Sequence, residues 1–213
     1  SRKHLLDLLR PDVGLTDVMV ETPYGIRYIS GGSGIEKAMD YDHAEKLLLQ
    51  QKLADCAAHA DIIIVDTGAG LGRNVMDFIL AADEVLLVTT PEPTSLTDAY
   101  AVMKAYSIYA VQKNLRLIIN RVYEPKESRE VMAKLERAAE KFLHMPVACL
   151  GYVFEDTAVT KAVRRQTPII EAEPGSAAAR CIEALAKALV TGTEMKVQRG
   201  WKGFLQQIFK FST

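Results

Sequence analysis

Residues 61–98, DIIIVDTGAGLGRNVMDFILAADEVLLVTTPEPTSLTD, decide the fold. Ile62 to Val65 form an unbroken β-branched run, closed by Asp66 and followed by Thr67-Gly68-Ala69-Gly70. Apolar residues resume at helical spacing, at Val75, Phe78, Ile79 and Ala82, before a second strand-like run at Val85–Val88. Strand, glycine loop, helix and strand predict one βαβ unit with a small-residue loop at the carboxyl end of its first strand. In open parallel sheets that end is where ligands bind. An aspartate there suits a water-bridged Mg²⁺, and a bare glycine amide can approach a terminal phosphate. The same residues equally suit an N-capping aspartate before a tight turn, and from them alone both readings stand.

Composition narrows the class. The 213 residues are 49% hydrophobic and 25% charged, enough for one well-buried domain. Twenty-six basic against 27 acidic residues leave a net charge of −1, with no overall electrostatic drive towards nucleic acid. Cys56, Cys149 and Cys181 are odd in number and widely spaced. They read as reduced, buried thiols of a cytosolic protein, not as a disulfide frame or a zinc site. No apolar run is long enough to span a bilayer, and the start is unlike a signal peptide.

Working outward, Ser1–Leu9 reads as a helix stopped by Pro11, and Leu15–Glu21 as a short helix or an edge strand. Ile26–Ser30 is a strand entered through Tyr24-Gly25, and the following Gly31-Gly32-Ser33-Gly34 is a connector, since no Lys-Ser/Thr follows it. Tyr41–Ala58 is a helix with Leu47, Leu48 and Ala54 as inward candidates. On the other side come a helix over about Ser95–Tyr109, a strand over Leu115–Asn120, and an amphipathic helix over Ser128–Leu143. That last helix turns Val131, Leu135, Ala138, Ala139 and Phe142 inward. Cys149–Val153 is the last strand, and Ser176 can cap a closing helix whose Cys181, Ile182, Leu185 and Leu189 face inward. Nearly all-apolar strands alternating with helices predict an α/β fold, a mostly parallel sheet flanked by helices on both faces.

With these strings in view, the chain resembles the MinD/ParA family of deviant P-loop ATPases, and within it the FlhG/YlxH flagellar-number branch. The resemblance rests on IIIVDTGAG (62–70), AADEVLLVTTPEPTSLTDAY (81–100), IINRV (118–122) and LGYVFEDTAVTKAV (150–163), with GGSGIE (31–36) and the C-terminus in support. It covers most of the chain, and PEPTSLTDAY is its most branch-specific part. The resemblance implies ATP or ADP with Mg²⁺ as cofactors, and Asp66 as the carboxylate holding Mg²⁺ through water. Gly70, beside Gly68, is then the glycine whose amide meets the γ-phosphate. Asn120 reads the adenine edge, while Arg121 and Asp156 flank the base. Phe154 stands where proline is common in the family, a departure that bears on the adenine pocket.

Two expected parts are missing from the string. No Gly-Lys-Gly-Gly-x-Gly-Lys-Thr loop occurs in the 213 residues, nor does the switch I aspartate. The expectation is an N-terminally truncated chain without its P-loop strand, binding no nucleotide tightly and turning none over. The loss of that strand predicts unpaired sheet edges or rearranged packing around Ile62–Val65, and self-association.

The expected organisation is an α/β domain over residues 1–190, a linker over 191–198 and a tail helix over 199–213. In the tail, RGWKGFLQQIFKF (199–211), the residues Trp201, Phe204, Leu205, Ile208, Phe209 and Phe211 fall on one arc at about 100° per residue. Arg199, Lys202, Gln206, Gln207 and Lys210 take the other side. Such a helix suits a membrane interface, the favoured reading because Trp and three Phe sit beside flanking cations; the alternative is a helix packed on its own domain or in a partner's groove. The family implies an ATP-dependent homodimer, peripheral at the inner face of the cell membrane and otherwise cytoplasmic. Its implied partners are an FlhF-like GTPase and flagellar switch-ring proteins, with no nucleic acid. The alternatives are a ParA-like DNA-partitioning ATPase and a nucleotide-free interaction module.

Overall fold

The computed structural model describes residues 3–31, 42–109, 114–191 and 200–210, and these gather into two compact units. The first comprises Ser1–Asp83 and Gln198–Thr213, the second Glu84–Val197.

In the first unit a 3₁₀ turn, Leu5–Leu9, leads to helix α1 (Leu15–Val18) and strand β1 (Met19–Glu21), which pairs antiparallel with β2 (Arg27–Ile29). Both alternatives for Leu15–Glu21 are therefore realised, one after the other. Gly25 closes the hairpin at φ +73°, where a side chain is disfavoured, and Thr22 N–H donates to the Ile26 carbonyl at 2.8 Å. Helix α2 (His43–Ala54) starts on a capping box: the Asp42 carboxylate accepts from Glu45 N–H at 2.9 Å, and Glu45 accepts from Asp42 N–H at 3.0 Å. That start sets the phase of the helix. Leu49 and Leu53 point inward, whereas Leu47 and Ala54 are exposed, correcting the expected inward set. Gly32–Tyr41, with most of the GGSG connector, lies outside the described residues.

Ile62–Val65 is the main departure. It belongs to no strand, and Ile62, Ile64 (83% exposed) and Val65 all face solvent, while Ile63 packs partly on the core. A β-branched run becomes a strand only where a neighbour completes its ladder, and among the described residues none does. Helix α3 (Arg73–Ala81) follows. The final helix, α9 (Gly200–Lys210), lies against α2 and α3. Its Phe204, Leu205 and Ile208 are buried with Leu8, Val13, Leu15, Val18, Leu49, Leu53, Cys56 and Ala81 in one core. Trp201 stacks on Phe204 at 5.1 Å, Phe204 stacks on Phe78 at 6.2 Å, and Trp201 Nε1–H donates to the Leu53 carbonyl. The tail is thus docked on its own unit through the arc that its periodicity marks; Phe211 lies outside the described residues.

The second unit carries the parallel sheet β3 (Val85–Thr89), β4 (Leu115–Val122) and β5 (Ala148–Phe154), with β4 central. Helices α4 (Pro93–Tyr109), α5 (Pro125–Ala138) and α8 (Ala177–Thr191) pack on these strands, and the short α6 (Thr157–Arg164) and α7 (Ile169–Ala172) lead into α8. Leu115, Leu117 and Ile119 are buried at alternate positions of β4, and Met103, Tyr106, Val131, Leu135 and Ala139 are buried on the helices of the same unit. On the other face of β3, Leu86 and Val88 are exposed. Phe142, expected inward, is 63% exposed: the helix gives way to a π turn at Ala139–Leu143, which widens the repeat and moves later residues off the buried stripe. Ser176 does cap α8, its Oγ accepting from Ala179 N–H at 3.2 Å. All three cysteines are free, but only Cys56 is buried; burial pushes its thiol and that of Cys149 up from the ordinary value.

Candidate functional site at the carboxyl edge of the sheet

The second unit gathers polar side chains where its three parallel strands end. Between Ile119, paired with Tyr152, and Val122, paired with Phe154, β4 holds one residue more than β5. This bulge falls on Asn120-Arg121 and re-aims both at the rim. Arg121 adopts φ +60°, uncommon for a residue with a side chain. Its N–H donates to Asn120 Oδ1 at 2.9 Å, which fixes the carboxamide and leaves Nδ2 as a donor. Its Nε donates to Glu155 Oε2 at 2.6 Å, and one terminal nitrogen lies 3.6 Å from Glu92 Oε1. Both carboxylates, Glu155 foremost, raise the Arg121 pKa above its ordinary value. One guanidinium thereby joins the end of β4 to the β3–α4 and β5–α6 turns. Beside it, Thr89 and Ser95 share a hydroxyl contact of 2.9 Å, and Ser95 Oγ accepts from Thr90 N–H at 3.0 Å, anchoring the start of α4. Glu92, Thr89, Ser95 and Glu155 were not legible as site residues in the string; the Glu155-Asp156 pair after an apolar strand was the available signal for the last.

Asp156 sits at this rim in a different role. Its Oδ1 accepts from Ala158 N–H at 2.9 Å and its Oδ2 from Ala178 N–H at 3.2 Å, so one carboxylate caps both α6 and α8. Those amides hold its pKa below the usual carboxylate value. A folded-state pKa below the unfolded one contributes stability above the unfolded pKa, near 3.9, and that stability is lost as pH falls through the folded value. Asp156→Asn is expected to flatten the acid limb of stability below about pH 4. Chemical denaturation of both proteins from pH 6 to pH 2.5 checks this; parallel curves contradict the double cap.

In the first unit, Asp66, Thr67, Gly68, Ala69 and Gly70 are exposed. Gly70 has φ +105°, a backbone that requires glycine, while nothing lies within 4 Å of where a Cβ would stand on Gly68 or Gly70. Among the described residues no group of three or more His, Cys, Asp or Glu converges on a point. Asp66 therefore does not fit an all-protein metal cage. A cation beside this lone exposed carboxylate would take most of its ligands from water and phosphate oxygens. No helix among the described residues is long and apolar enough to cross a membrane.

A parallel sheet with its polar groups gathered beyond the strands' carboxyl ends is the architecture of nucleotide-binding α/β proteins. The structure resembles the septum site-determining protein MinD of Pyrococcus horikoshii, solved with Mg-ADP, at TM-score 0.63 and 21% identity, over 93% of this chain and 77% of that one. No family model matches the sequence. It is 34% identical to the antiactivator FleN of Pseudomonas aeruginosa, over 87% of this chain and 66% of FleN's length. It is 30% identical to the flagellum site-determining protein YlxH of Helicobacter pylori, over 99% of this chain and 73% of YlxH. An uncharacterized ATP-binding protein of Methanocaldococcus jannaschii is 31% identical over 97% of this chain and 74% of its own. The chain belongs to the MinD/ParA family of deviant P-loop ATPases, in the branch of the flagellar-number regulators.

Proposed function

We propose that this chain is part of a MinD-like ATP-dependent switch that sets the number and placement of flagella. The observation that carries this reading is the kinship with YlxH along 99% of the chain. The rim geometry supports its nucleotide half. Asn120 presents an oriented amide at the strand ends, where Arg121 and Asp156 also stand; the assignment of Asp66, Gly68 and Gly70 to the metal-bearing phosphates rests on the family resemblance alone. The Mg²⁺ of the bound nucleotide supplies charge neutralisation at the terminal phosphates. The lysines and amide cradle that the family supplies through a Gly-Lys-Gly-Gly-x-Gly-Lys-Thr loop are not in this string of 213 residues.

Membrane association enters through α9. Its docked apolar arc is the face that would enter a membrane interface, so docking and insertion exclude each other. Full burial of each large apolar side chain contributes roughly 1.5–3 kcal/mol, and insertion must also offset the loss of the docked contacts. A single tail therefore binds weakly. Two tails on an ATP-bound homodimer make the second attachment intramolecular, which raises avidity by ~10²–10⁴. An FlhF-like GTPase and switch-ring proteins are the partners of this reading, at the inner face of the cell membrane. Asp66→Ala and Asn120→Ala in the chromosomal gene are each expected to change flagella per cell or their placement, counted by electron microscopy. Wild-type counts and positions in both strains overturn the function.

A further inference from the structure

We propose that the cavity between α2 and α9 binds a small amphiphile, one anionic head on a short apolar chain, and that this occupant clamps the tail in its docked position. The cavity measures about 310 Å³ and is lined by His43, Lys46, Leu47 and Gln50 of α2 and by Gln206 and Phe209 of α9. The α2 residues follow at i, i+3, i+4 and i+7, so they share one face of that helix. Neither helix completes the wall alone, and the cavity exists only while α9 is docked. The site is separate from the strand ends of the second unit and takes a molecule other than a nucleotide.

The lining sorts into two kinds. Lys46, His43, Gln50 and Gln206 supply N–H donors, and none of the six lining residues is acidic. Lys46 is only 8% exposed; it is engaged within the fold, yet its ammonium carries three donors. A cation so far removed from water gains most from an anion that brings hydrogen-bond acceptors to it. Exposed Leu47 and half-buried Phe209 add apolar surface to the same cavity, which a hydrocarbon chain would cover. At ~30 Å³ per water-sized group the space holds about ten non-hydrogen atoms, a fit for a medium-chain carboxylate and far too little for a two-chain lipid. An inorganic anion alone leaves the apolar wall wet, and a neutral chain alone leaves the ammonium unmatched.

The test titrates the isotope-labelled 213-residue chain with octanoate, with inorganic phosphate as the head without the chain, and with octanol as the chain without the charge. Octanoate is expected to shift the His43, Lys46, Leu47, Gln206 and Phe209 amides and to bind at least about tenfold more tightly than either control. Lys46→Gln should bring octanoate and octanol within about threefold of each other. Gln206→Glu, a change at an exposed position that sets a carboxylate at the cavity, should weaken octanoate about tenfold and spare octanol. At about ten times its Kd, octanoate should slow hydrogen exchange of the α9 amides about tenfold, because a ligand of the docked state lowers the undocked population by that factor. Equal binding of either control, shifts confined to other surfaces, an affinity that neither substitution alters, or unchanged exchange in α9 overturns the proposal. So does an absence of binding at millimolar octanoate, and none of these results touches the nucleotide reading.

Discussion

Phe204→Ala is expected to cost the first unit about 3–5 kcal/mol, the usual loss when a buried phenylalanine is truncated. Phe204 is 7% exposed and stacks with both Trp201 and Phe78, so its removal leaves a gap in that stack. Trp201 is the sole tryptophan and its indole N–H is bonded to the Leu53 carbonyl, which makes its emission a direct reporter of docking. Denaturant unfolding followed at that tryptophan measures the loss. Lys202→Ala, on the exposed side of the same helix, should change stability by less than about 0.5 kcal/mol. Equal effects of the two substitutions would mean that α9 contributes nothing to the core.

The second large effect concerns where the tail spends its time. Phe78→Ala, a change in α3 that leaves every tail residue in place, weakens the dock and keeps the tail's apolar arc intact. Each 1.4 kcal/mol taken from the docked state raises the undocked population about tenfold. Co-sedimentation with anionic vesicles should therefore rise at least about tenfold in Phe78→Ala and vanish when residues 199–213 are removed. Pelleting that is the same for wild type, Phe78→Ala and the tail deletion would sink the membrane assignment.

Much of the fold was legible because local signals agreed with long-range packing. The strand read over Leu115–Asn120 lies within β4, Ser176 caps the helix it precedes, and the tail's apolar arc is the face that becomes buried. Legibility ended where a partner decides the outcome. Ile62–Val65 has the composition of a buried strand, yet composition supplies only one side of a hydrogen-bond ladder. Phe142 satisfied a 3.6-residue period that the chain abandons one turn earlier at the π turn. At the rim, the Asn-Arg pair was readable, but the bulge that aims it depends on the register between β4 and β5, which neither strand encodes alone. Glu155 and Glu92 became visible only through the guanidinium that joins them. Asp156, placed beside the base only by the family resemblance, holds two helix ends.

The central claim, that the strand ends of the second unit form the base-reading part of a nucleotide site, is tested most directly by titrating ADP into isotope-labelled protein and mapping the backbone amides that move. The account predicts shifts concentrated at Asn120, Arg121, Val122 and Glu155, lost in Asn120→Ala while the rest of the spectrum is unchanged. Shifts confined to other surfaces, or none at all at millimolar ADP, would contradict it.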